Sequence, residues 1–88
     1  MIYRIYLTYT DEIYLNDYDN THFFLLNERK DFFESYSEAK KAFDKIMIKN
    51  EELIQLSKCN TFEVIELRSY IDENSKDYKL LKSRHYLW

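Results

Sequence analysis

The side chains in this chain best suited to chemistry are two histidines, one cysteine, and a surplus of tyrosines and carboxylates. His22 and His85 each fall in a stretch that reads as a strand, and an imidazole titrating near neutral pH is the usual general base. The spacing assembles no Ser-His-Asp or Cys-His set, so both read first as ordinary sheet residues. Cys59 follows a predicted helix, whose C-terminal partial negative charge opposes a thiolate even with Lys58 beside it. It reads as a small, partly buried apolar side chain. A single cysteine makes no internal disulfide, and no Cys/His cluster has zinc spacing. The chain is therefore expected to be no enzyme, to carry no metal or cofactor, and to work in a reducing cytoplasm.

The absence of glycine and proline removes further chemistry. Without glycine there is no phosphate-cradling P-loop, no dinucleotide fingerprint and no nucleophile elbow. Turns must be made by Asn, Asp and Ser, which tolerate left-handed backbone and hydrogen-bond their own main chain.

Binding chemistry has more candidates. Asp11, Glu12, Asp17 and Asp19 crowd one region, Glu51 and Glu52 pair on the predicted helix, and Glu63 and Glu66 share a strand. Carboxylates in a row can imitate phosphates, although interspersed lysines make a solvated surface the plainer reading. Lys79, Lys82, Arg84, Tyr86 and Trp88 form an aromatic and basic strip of the kind that stacks bases and tracks phosphates. Lysines guarding an edge strand give the same pattern. The net charge of −3 argues against general DNA binding. Tyrosine suits positions that are apolar on one side and wet on the other. The candidate partner contacts are Tyr14, Asp17, Tyr18 and Asp19 in a first hairpin region, with Tyr70, Tyr78 and Tyr86 on a terminal hairpin.

The elements that must position these residues are legible as periodicities. Ser35 to Lys58 places Ala39, Ala42, Phe43, Ile46, Met47, Asn50, Leu53 and Ile54 on one helical face, and Ser35 with Glu38 fits a capping box. Asn50 is also a candidate cap for a separate second helix; a single helix of roughly 33 Å is preferred. Residues 2–9 alternate as a strand and lack the apolar core of a signal peptide. Ile13 to Leu15 suggests a short strand, 16–20 a polar loop, and Thr21 to Asn27 a strand. Phe32 and Phe33 should anchor the start of the helix, and Asn60 should end it. In Thr61 to Ile71 the apolar phase changes, which predicts a β-bulge near Val64 and Ile65. Tyr78 to Trp88 alternates again and completes a hairpin.

The sum is one α+β domain over 1–88: an antiparallel sheet of about five strands, β-β-β-α-β-β, packed on one long amphipathic helix. Its apolar fraction of 45% supports one modest core, and no apolar run is long enough to span a membrane. The sheet face away from the helix, rich in Tyr, Arg and Lys, is expected to meet solvent, a partner or a second copy.

An opening strand, then Phe-Phe-Glu-Ser-Tyr-Ser-Glu-Ala-Lys-Lys-Ala-Phe at a helix start, then a closing hairpin, in a chain of 88 residues, resembles small accessory proteins of bacteriophages and mobile elements. Those include anti-CRISPR and other anti-defence inhibitors. The resemblance covers the layout and carries over no functional residue. It implies a compact protein that binds a larger assembly without turnover, plausibly a Cas effector or another nuclease complex. The alternative is a small nucleic-acid-binding regulator using the C-terminal basic strip.

Overall fold

The computed structural model describes residues 1–9, 21–24, 31–56 and 61–86. It is an α+β fold with strands β1 (Ile2–Tyr9) and β2 (Thr21–Phe24), helix α1 (Tyr36–Gln55), then β3 (Phe62–Tyr70) and β4 (Lys79–His85). The strands form one antiparallel sheet in the order β2-β1-β3-β4. Four strands are seen among the described residues; the further strand expected at Ile13 to Leu15 lies outside them, as do 25–27 of the expected third strand.

The helix starts where its cap dictates. Ser35 has extended backbone, φ −111° and ψ 130°, and its Oγ accepts from the Glu38 N–H at 3.4 Å. Its carbonyl accepts the first helical bond from Ala39 N–H at 3.1 Å. Twenty residues at 1.5 Å rise span about 30 Å, most of the 37 Å long axis of the molecule. The last turn closes with Leu56 N–H donating to Glu52 O at 3.1 Å, so the helix ends before Asn60, the expected terminator, which lies outside the described residues.

Alternation in β1 sends Tyr3, Ile5 and Leu7 toward the helix, where Ile65 and Leu67 of β3 meet Ala39 and Phe43. Ile5, Leu7, Phe43, Ile65 and Leu67 are essentially sealed from water. Each is worth roughly 1.5–3 kcal/mol of burial, which makes this layer the main source of stability. Ala42, Ile46 and Met47 flank it half-buried, as their helical spacing predicts.

Asn50 is the exception on that face. It is buried within an unbroken helix, so it caps no second one; instead its Nδ2 donates to Phe62 O at 3.0 Å and its Oδ1 accepts from Phe62 N–H at 2.7 Å. The amide thereby stands in for a neighbouring strand and pins the start of β3 to the helix.

Both register irregularities shape the sheet. Thr8 opposes Val64 while Tyr9 opposes Phe62, which leaves Glu63 as the extra residue. The bulge expected near Val64 and Ile65 therefore sits just upstream, and it lets Phe62 join the core face shared by Ile65 and Leu67. In β4, Lys82 opposes Leu67 and Leu80 opposes Arg68, so Leu81 is an extra residue too. That second bulge corrects the uninterrupted alternation expected from Tyr78 to Trp88. Ile71, expected on a strand face, lies past the end of β3 and is exposed.

Candidate functional site

The face turned away from the helix is not a bare floor. Arg68 of β3 is held between two rings, its guanidinium carbon 3.9 Å from the centroid of Tyr6 and 3.9 Å from that of Tyr78. Tyr78 lies 5.7 Å from Tyr70, and Tyr70 in turn carries Arg4 at 4.7 Å. The result is a ladder of two guanidinium and three phenol groups across β1, β3 and the approach to β4. Arg68 Nε donates to Glu66 Oε1 at 3.0 Å and Arg4 Nε reaches Asp31 Oδ2 at 3.4 Å, while Arg4 also donates to the Glu73 carbonyl at 3.1 Å. Burial opposes the Arg68 charge, but bonds to Tyr70 and Glu66 outweigh it and hold its pKa above the ordinary value. Phe33 bridges to Tyr3 through two main-chain bonds of 2.7 and 2.8 Å, so Phe33 turns into the helix-side core and Phe32 into a second cluster with Ile2 and Tyr70. The two phenylalanines do anchor the helix start, one on each side of the sheet.

This arrangement corrects the expectation that the far face is open. Tyr70, named as a partner contact on the premise of exposure, is only 4% exposed, because it is a rung between Arg4 and Tyr78. Tyr78 does stand out, at 47%. Tyr86 folds back on the helix: its hydroxyl lies 3.4 Å from Met47 O and 3.5 Å from Glu51 Oε1. Partial burial and the Glu51 charge raise its pKa, against the opposing pull of Arg84 and Asn50. Tyr14, Asp17, Tyr18 and Asp19 lie outside the described residues, as do Cys59 and Trp88.

Two cations of the basic strip make ion pairs with the helix while keeping part of their surface exposed. Lys82 Nζ meets Asp44 Oδ1 at 3.0 Å and lies 5.1 Å from the Phe43 ring centroid, while Arg84 meets Glu51 at 3.4 Å. Glu51 and Glu66, two of the proposed phosphate mimics, are likewise engaged by Arg84 and Arg68. His22 sits on β2 opposite Thr8 and His85 on β4 opposite Val64, at the two edges of the sheet. Three strand spacings, roughly 14 Å, separate the two positions. Among the described residues no three His, Cys, Asp or Glu groups are placed to hold a metal ion. No helix among them is long and apolar enough to cross a membrane.

What does gather is apolar surface at one end of the molecule. A concavity of about 360 Å³ is lined by Met1, Tyr3, Tyr36, Ser69, Lys79 and Leu81. A second, of about 230 Å³, shares Met1, Ser69 and Lys79 with it and adds Ile71 and Tyr78. Met1 and Ile71 are 73% and 75% exposed. Tyr36 packs edge-on against Tyr3 at 5.8 Å, which fixes one wall. No family model, curated protein or solved structure matches this chain.

Of the residues at this end, Tyr70, Tyr78 and Lys79 were singled out from the sequence. Met1 and Tyr36 were missed because they lie at element ends, and Ile71 and Leu81 because the strand faces expected for them fail past the end of β3 and at the bulge in β4. The adjacent pair Leu80-Leu81 in an otherwise alternating strand was the one available signal.

Proposed function

We propose that this chain is a non-enzymatic, phage-type binding protein that works in the bacterial cytoplasm and inhibits a defence nuclease, most plausibly a Cas effector, by protein–protein contact. The observation that carries the reading is the apolar end: Met1, Tyr36, Ile71, Tyr78 and Leu81 gather, all exposed, around Lys79. Scattered exposed apolar residues need no explanation, whereas contiguous ones rimmed by charge mark contact surfaces. Tyr78 is the anchor in this reading, and its ring is held in place by Arg68 and Tyr70, so little side-chain freedom is lost when a partner covers it. Tyr70 then acts from beneath as a support. Tyr14, Asp17, Tyr18 and Asp19 stay in the proposal as contacts from their own region, and Tyr86 as a contact at the far end of β4.

The resemblance in layout supplies the class of partner, and the net charge of −3 weighs against the nucleic-acid alternative. The test is a cleavage assay with a panel of purified Cas effectors, with the chain added in excess. Slowed cleavage by at least one effector, lost in an Ile71→Lys, Leu81→Lys double variant that keeps its circular dichroism, is the expected outcome. Unaltered cleavage across the panel, together with salt-sensitive binding to labelled oligonucleotides, would replace this reading with the regulator.

A further inference from the structure

The outer edge of β4 has a definite hydrogen-bonding phase. Tyr86 N–H donates to Glu63 O at 2.8 Å, and the register from His85 back to Lys82 is unbroken. In an antiparallel pair the main-chain groups alternate between partner and open side, so Lys82, Arg84 and Tyr86 turn theirs toward β3 while Ser83 and His85 turn theirs outward. Among the described residues no strand lies beyond β4, and Ser83, Arg84 and His85 are all exposed. The edge is therefore a short template with two residues offering N–H and C=O.

Its charge selects what can pair. β4 holds Lys79, Lys82, Arg84 and His85 and not one carboxylate. A second copy of the chain is a poor occupant: antiparallel self-pairing centred on Lys82 or Arg84 sets each against itself, and centring on Ser83 sets Lys82 against Arg84 twice. Like charges directly opposite destabilise a strand pair, and opposite charges stabilise it. Asp44 and Glu51, both on the helix, each take one contact from these cations, and the side chains of Lys82 and Arg84 stay 38% and 54% exposed. The bulge at Leu81 bounds the template on one side.

We propose that the edge of β4 from Lys82 to Tyr86 receives an extended acidic segment of the partner protein, with carboxylates at alternate positions facing Lys82 and Arg84. This rests on the binding-protein reading above and names the partner's chemistry. Main-chain bonds to Ser83 and His85 give the affinity and the two cations give the selectivity, the division of labour of strand addition to a sheet edge. Lysines on an edge guard it against neutral and like-charged strands; the same field admits an acidic one.

The experiment titrates the intact chain with a seven-residue capped peptide alternating valine and glutamate, and with its valine–lysine counterpart, while amide exchange at Ser83 and His85 is followed by NMR. The acidic peptide is expected to slow exchange at both amides at least tenfold, and the basic peptide to leave them unchanged. The charge-reversed double variant Lys82→Glu, Arg84→Glu should exchange the two preferences. Ser83→Pro, which removes an outward N–H at an edge position where proline is tolerated, should fold and lose the acidic peptide. No slowing with the acidic peptide, or equal slowing with both, would overturn the proposal. Because this assay contains no nuclease, its failure leaves the inhibitor reading standing, and failure of the nuclease panel leaves the edge measurement standing.

Discussion

Replacing Asn50 by leucine removes both bonds to the Phe62 main chain while keeping nearly the same volume. Those bonds measure 3.0 and 2.7 Å and are made by a side chain that is almost completely buried. Removing one partner of a buried hydrogen bond costs about 1–3 kcal/mol for the group left behind, so two groups give about 2–6 kcal/mol. Leucine recovers about 1–2 kcal/mol by burying its own apolar surface. The difference is a loss centred at about 2.5 kcal/mol within a range of about 0–5, and at its centre it lowers Tm by about 10–20 °C in a domain of this size. Urea unfolding followed by far-ultraviolet circular dichroism measures it directly. Asn50→Asp supplies the control: it keeps an acceptor for Phe62 N–H but loses the donor to Phe62 O unless the carboxyl is protonated. Its deficit relative to the native chain should therefore shrink as pH falls toward 4. An Asn50→Leu chain more stable than the native one would refute the assignment of Asn50 as the tie between helix and sheet.

Other perturbations follow from the same contacts. Arg68→Ala removes the cation between Tyr6 and Tyr78 and strands Glu66, which should cost about 2–3 kcal/mol in urea unfolding; Arg68→Lys should restore less than half, because an ammonium lacks the planar stack. Ser35→Ala deletes the Oγ acceptor for Glu38 N–H and should cost about 0.5–1 kcal/mol, near the low end for a cap because that bond is 3.4 Å long. Tyr86 has its pKa raised in the folded chain, so its contribution to stability is whole below the unfolded phenol value of about 10 and is lost as pH rises through the folded value. Tyr86→Phe should flatten that alkaline decline relative to the native chain, and identical slopes above pH 10 would contradict it.

The helix was the most legible element, because a 3.6-residue period over Ala39, Phe43, Ile46 and Asn50 and a serine cap all point one way. The central position of β1 was less so: alternation says which of its residues share a face, but not which strands lie beside it. Pairing of Ile2 with Tyr70 is set by tertiary packing that no local pattern encodes. The bulge in β3 was visible as a change of phase, within two residues of Glu63, whereas the bulge at Leu81 was marked only by the adjacent leucines and was read as continued alternation. The tyrosines misled most. Their number suggested surface anchors, yet Tyr70 is buried by a partnership with Arg4 and Tyr78 that spans distant parts of the chain. Asn50, read as a helical-face residue or a cap, carried no sequence sign that its amide would act on the main chain of β3.

The strand order β2-β1-β3-β4 has a consequence for biosynthesis. β1 is an inner strand whose long neighbour, β3, is made well after it, with Ile2 awaiting Tyr70. A nascent chain that stops short of β3 cannot close this sheet, so the Ile-Tyr-Leu register of β1 lacks that partner until β3 emerges. Such distant pairing slows folding and leaves sticky segments uncovered. Closure of the sheet thus waits for β3, and the interval in which β1 needs a holdase chaperone should lengthen as translation slows.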